Sequence, residues 1–180
     1  MGIWKPRPAA SATCLAELAR IGPDGFLRFG RHVIRASIGR SGVTAHKQEG
    51  DGATPAGLLQ LRRVLYRAHR VARPRAAVPT EPIAPADGWC DDPSHRDYNR
   101  AVTLPHAGRC EELWRGDALY DLAGVLGWND NPVIRGAGSA IFLHVARPDF
   151  GPTEGCIALA LPDLVAVLAD GLTALEIASR

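Results

Sequence analysis

No stretch of the 180 residues reaches the roughly 18 consecutive apolar positions that a membrane span requires, so no transmembrane segment is expected. An excess of one charge is also missing. The 21 Lys and Arg face 19 Asp and Glu, and the net +2 gives no reason to expect nucleic acid as a partner. The four cysteines, Cys14, Cys90, Cys110 and Cys156, include no CxxC pair. His32, His46, His69, His95 and His106 contain no i, i+4 pair, so neither metal nor cofactor is expected. Internal repeats and low-complexity tracts are absent. The first residues carry positive charge, but Lys5, Pro6, Arg7, Pro8 and Glu17 interrupt any signal-like apolar stretch. The expectation is therefore a chain that stays inside, has lost a leader, or leaves by another route.

What is present fits one globular domain. Apolar residues make up 46% and charged residues 22%, which excludes a disordered or collagen-like chain. A chain of this length builds a core without needing a disulfide. Gly (19) and Pro (14) are plentiful and favour turns and short strands over long helices.

Residues 1–24 read as an arm, with a short helix conceivable over 14–21. From Phe26 the pattern turns to β. FLRF, then Gly30-Arg31, then His32 to Ile38 reads as a hairpin. The cluster Glu49 to Gly57 is a dense turn, and a strand follows through Leu59, Leu61 and Val64. Pro74, Pro79, Pro82 and Pro85 confine 71–88 to loop or edge. Gly88 to Pro93 and Tyr98 to Arg100 read as loop. Leu119–Trp128 and Ala140–Ala146 read as buried strands. Leu161, Leu164, Val165 and Leu168 give one helix with a single apolar face, stopped by Asp170-Gly171, before a last strand over 173–178. The count predicts a mainly β domain with one or two short helices.

The segment IFLHVARPDFGPTEGCIAL carries the chemistry. A histidine ends an apolar strand, a Gly/Pro-rich loop follows, and a cysteine stands next to glycine. That arrangement suits a thiol nucleophile, Cys156, whose proton His144 takes and returns to a leaving amine. Gly155 allows close backbone approach, and the amide hydrogens of Gly155 and Cys156 are candidates to face a developing oxyanion. On residue types alone, a buried small hydrophobe at Cys156 and a packed histidine are the commoner reading.

The segment resembles the catalytic motif of the L,D-transpeptidase (YkuD-like) family, in which a strand ends in His and the chain later reads Ser/Thr-His-Gly-Cys, one residue, then Arg or Asn. His144, Thr153, Gly155 and Cys156 match. Glu49 to Gly57 resembles the family's G-x-x-x-TP-x-G signature, and Gly138 to His144 fits the approach to the histidine. The resemblance spans roughly residues 25–178. It implies a β-sandwich catalytic domain over 25–180 that acts on peptidoglycan stem peptides through a Cys156 acyl-enzyme, faces the periplasm or cell wall, and uses no cofactor. With water as acceptor the same residues make an L,D-carboxypeptidase or amidase.

Three departures stand out. Glu154 replaces the usual histidine, Ala158 replaces the Arg or Asn, and the loop between His144 and Cys156 is short. They keep open a catalytically silent cell-wall-binding module, and the missing signal segment keeps open a cytosolic cysteine amidase. Candidate substrate contacts are Thr153, Glu154, Arg147, Tyr98, Asn99, Trp89 and Asp91, the last four on a flap. Cys90 and Cys110 are candidates to pair in an oxidising compartment. The sequence leaves the oligomeric state open.

Overall fold

The computed structural model describes residues 18–22 and 24–179. Most of the expected arm, including Cys14 and the first part of the conceivable helix, lies outside the described residues. Leu18–Ile21 is a strand, β1, because its alternating Ala19 and Ile21 are buried against the sheet. Its partner is the last strand, in parallel register Leu18↔Ala174 to Ile21↔Ile177.

The expected hairpin is present as β2 (Phe26–Phe29) and β3 (His32–Arg35), joined at Gly30-Arg31. After the short β4 (Val43–Thr44) and β5 (Thr54–Pro55) comes β6 (Gly57–Tyr66), the longest strand. The proline-rich segment supplies only the edge strand β7 (Thr80–Pro82). Beyond it lie β8 (Asp87–Cys90), β9 (Arg100–Thr103), β10 (Cys110–Glu112), β11 (Leu122–Leu126), β12 (Phe142–Val145), β13 (Ile157–Leu159), α1 (Leu161–Ala169) and β14 (Ala174–Ile177).

The main sheet runs β13-β12-β11-β6-β14-β1-β2-β3, with β7 also on β6. β6 holds its two halves together: Gly57 to Gln60 pair with β14, and Leu61 to Tyr66 pair with β11. Strands β11 and β12 are buried on both faces, which is why they read as largely apolar runs. Alternation then sorts their side chains. Leu143 and Val145 of β12 enter one core with Leu122 of β11 and Leu164, Val167 and Leu168 of α1. Phe142 enters a second core with Ala123, Val125, Trp89, Tyr120 and Cys156, and His144 shares its face.

The helix begins with proline in its first turn and Asp163 near the positive end of its dipole. It stops where Gly171 takes φ +95° and its N–H, with that of Leu172, caps the Leu168 and Val167 carbonyls. The buried stripe is Leu164, Val167 and Leu168. Val165, expected on the apolar face, is 36% exposed, so the stripe is rotated from the one the sequence spacing suggested.

A second difference concerns 88–112. Residues 88–93 and 98–100, expected as loop, contribute to a separate three-stranded sheet, β10-β8-β9, for which no strand was expected. Its strands are three or four residues long, too short to show alternation.

Truncating Leu164 to Ala removes a fully buried side chain at the seam of helix and sheet. We expect a loss of about 2–5 kcal/mol, read as a lower urea midpoint at unchanged slope.

Candidate active site

Strand β12 delivers His144, and the residue immediately before strand β13, Cys156, comes to the same face. The two strands are parallel, with His144 opposite Ala158, and Cys156 stands two residues before Ala158, so both side chains point the same way. They meet in a cavity of about 510 Å³, lined also by Lys47, Glu49, Asp91, Arg109, Glu111, Arg115, Tyr120, Arg147, Thr153 and Glu154.

The backbone around Cys156 is clamped from two sides. Ile38 and Arg40 exchange hydrogen bonds with Thr153, and Ser37 exchanges a pair with Ala158, so residues 37–40 run alongside the loop. The Thr54 hydroxyl, wholly buried, accepts the Gly39 N–H at 2.8 Å and donates to Cys156 O at 3.3 Å. The Thr153 hydroxyl donates to the same carbonyl at 2.7 Å and accepts the Gly155 N–H at 3.2 Å. Gly155 has φ +132°, and a Cβ there would stand 2.7 Å from Ala53 O. Glycine is therefore needed for both conformation and space. The Gly155 N–H is engaged within the loop, whereas the Cys156 N–H has no partner among the described residues.

The thiol and the imidazole rest as a neutral pair. Cys156 Sγ–H donates to Ala140 O at 3.2 Å, and Phe142 N–H donates to the sulfur at 3.4 Å. Burial pushes the thiol from its ordinary value near 9 up to about 12. The nearby Glu111 adds to that, and the Phe142 N–H and Lys47 oppose it. Burial also takes His144 from 6.5 down to about 4. His144 Nδ1 lies 2.9 Å from Val145 O, which only accepts, so Nδ1 carries the hydrogen and Nε2 keeps the lone pair. Tyr120 meets the imidazole edge-on at 5.4 Å and donates to Glu111. Glu111 is itself raised by burial.

Thr153, Glu154, Arg147 and Asp91 line the cavity, as the sequence suggested. Glu154 is mostly exposed and pairs with Arg40, and Asp91 pairs with Arg109 at 3.0 Å. Tyr98, Asn99 and Trp89 stand behind the cavity instead of lining it. Asn99, at φ 57°, accepts from Trp89 Nε1 at 3.0 Å and from Ala140 N–H at 3.1 Å, and donates to the Trp128 and Asn129 carbonyls. It thus fixes the residue whose carbonyl holds the Cys156 thiol. Tyr98 donates to Glu49 at 2.5 Å, and Ser139 reaches the same carboxylate oxygen at 2.7 Å.

Sequence reasoning missed Lys47, whose side chain is only 3% exposed. Its Nζ lies 2.5 Å from Asp51 and 2.9 Å from Gln48 O, and 3.6 Å from where a Gly155 Cβ would stand. Burial pushes the Asp51 carboxyl up, but the Gln48 N–H, Lys47 and the Ala53 N–H outweigh it and hold it below the usual carboxylate range. The i, i+4 spacing of Lys47 and Asp51 across the glycine turn was the available signal.

These features define a class first: a mainly β domain with a buried thiol and imidazole on adjacent parallel strands. The family model of the L,D-transpeptidase catalytic domain (YkuD) matches residues 26–173, and the chain belongs to that family. No curated protein matches it. Among solved structures it is similar to an L,D-transpeptidase from Mycobacterium smegmatis at 14% identity and a TM-score of 0.39, covering 90% of this chain and 58% of that one. No helix among the described residues is long and apolar enough to cross a membrane.

The neutral pair has a pH signature. His144 is depressed, so its contribution to stability is present above about pH 6.5 and is lost as pH falls toward 4. Cys156 is raised, so its contribution is present below about pH 9 and is lost as pH rises toward 12. Urea midpoints across pH should therefore fall on both flanks. His144→Asn should flatten the acid flank and Cys156→Ala the alkaline one. Unchanged flanks in both variants would contradict the neutral resting pair.

Proposed function

We propose that the protein is a cysteine-dependent L,D-transpeptidase acting on peptidoglycan stem peptides, with Cys156 as nucleophile and His144 as general base. The observation that carries this reading is the convergence of a thiol and an imidazole with a free Nε2 lone pair on one cavity wall.

Because the resting pair is neutral, proton transfer belongs to the acylation step. The Cys156 proton moves to His144 Nε2 as sulfur attacks the amide carbon of the stem peptide. The free Cys156 N–H is the donor available to the oxyanion, and Lys47 lies close enough for its charge to favour it. The imidazolium then protonates the departing amine of the D-residue as the C–N bond breaks. In the second half an acceptor amine attacks the thioester, a new C–N bond replaces C–S, and sulfur regains its proton. Arg109, Arg147, Glu49 and Asp91 give the rim both signs of charge, which suits a zwitterionic D-amino acid end. The family resemblance supports a periplasmic or cell-wall-facing location.

A second reading, L,D-carboxypeptidase, is favoured by Glu154. It pairs with Arg40 and is mostly exposed, where the family has a loop-orienting histidine. A cavity edge less ordered toward an acceptor peptide would let water take the acyl group. Retention of both thiol and imidazole argues against a silent binding module.

Mass spectrometry of the protein with a disaccharide-tetrapeptide tests the assignment. A cross-linked dimer that vanishes in Cys156→Ala establishes transpeptidation, and a trimmed monomer that vanishes establishes carboxypeptidation. Unchanged substrate with folded wild-type protein would reject both. Lys47→Met should slow acylation on the order of 10²-fold, measured as the rate of acyl-enzyme appearance.

A further inference from the structure

We propose that Cys90, His106 and Cys110 form a zinc-binding site on the three-stranded sheet, separate from the catalytic cavity. Cys90 of β8 and Cys110 of β10 are direct cross-strand partners. The adjacent pair is joined by the Asp91 N–H to Arg109 O bond at 3.1 Å, so Cys90 and Cys110 occupy a non-hydrogen-bonded position, where side chains stand closest. Cross-strand pairs alternate faces. Asp91, Arg109 and Glu111 line the catalytic cavity, and the two cysteines project from the opposite face.

His106 completes the cluster. Its Nδ1 lies 3.3 Å from Cys110 Sγ, and the ligand atoms of Cys90, His106 and Cys110 all lie within 4.8 Å of one another. Zinc bonds of about 2.3 Å to sulfur and about 2.0–2.1 Å to nitrogen set tetrahedral ligand separations of roughly 3.4–3.8 Å, so small side-chain adjustments would close the site. The imidazole is also held in the form a metal needs. Gly108 N–H points at Nδ1 from 3.1 Å, which requires a lone pair there, and Nε2 faces the Asp97 carboxylate at 3.2 Å. A carboxylate on the far nitrogen fixes both ring orientation and tautomer, the arrangement found behind metal-bound histidines. His95 packs edge-on against the His106 ring at 4.5 Å and restrains it further.

Two thiols and one imidazole make a borderline-soft donor set that selects zinc over calcium or magnesium. On binding, both thiols release their protons to solvent and the fourth position is left to water. Because Glu111 of β10, and Asp91 and Arg109 at the paired ends of β8 and β10, lie on the other face, the ion would lock one wall of the catalytic cavity from behind.

Co(II) titration of reduced, chelator-stripped, full-length Cys156→Ala protein tests the site, with the cavity thiol removed. We expect one equivalent to bind, with thiolate-to-cobalt charge transfer in the near ultraviolet and tetrahedral visible bands that Zn(II) abolishes. Cys90→Ser should remove the charge-transfer band. Asp97→Asn, which touches no proposed ligand sulfur, should weaken binding about 10- to 100-fold with unchanged circular dichroism. Absence of the bands, undiminished bands in Cys90→Ser, or a Cys90–Cys110 disulfide that forms with zinc present would overturn the proposal.

Discussion

The site depends on what holds one carbonyl, that of Cys156. Two hydroxyls converge on it, from Thr54 and Thr153, and Thr54 simultaneously anchors Gly39. A buried carbonyl must find donors, and these two come from segments a hundred residues apart in one case and three in the other. Their meeting fixes the turn that aims the thiol. Thr54 belongs to the TP signature noticed in the sequence, so that signature acts on the cysteine loop from the back and not on substrate. Gly155 contributes by being small enough to pass Ala53 O.

Charge around the thiol is arranged in opposition. Burial and Glu111 disfavour the thiolate, while Lys47 and the Phe142 N–H favour it. The first pair prevails in the resting protein, so the sulfur keeps its proton. Lys47 is held by Asp51 and the Gln48 carbonyl, so its charge is positioned by the glycine turn. Asn99 plays a comparable part on the other side, through Ala140.

Much of this was legible in the sequence. The β2–β3 hairpin, the two buried strands around Gly124 and His144, the helix and the last strand all announce themselves, because long apolar runs and Gly/Pro punctuation survive without tertiary information. The small sheet of β8, β9 and β10 did not, since three-residue strands carry no period. For the same reason Trp89, Tyr98 and Asn99 looked like exposed flap residues. Their polar atoms are in fact consumed by one another, by backbone groups from 128–140 and by Glu49, contacts that sequence spacing cannot foresee. The gathering of Cys90 with His106 and Cys110 was hidden likewise. The two cysteines were candidates to pair, but the approach of the His106 imidazole to them exists only in the fold.

Strand β12 has a further consequence. It is buried on both sides, with Leu143 and Val145 facing the helix and, on the other face, Phe142 in the second core and His144 at the cavity. A slip of one residue would exchange these sets, driving an imidazole into a wholly hydrocarbon interior and withdrawing it from the sulfur. Misregistered chains would thus be unstable and would lose the thiol–imidazole encounter. Selection for a stable fold and selection for the thiol–imidazole encounter therefore act on the same hydrogen-bond ladder, and a stability screen of β12 variants would already enrich for those that keep His144 facing the cavity.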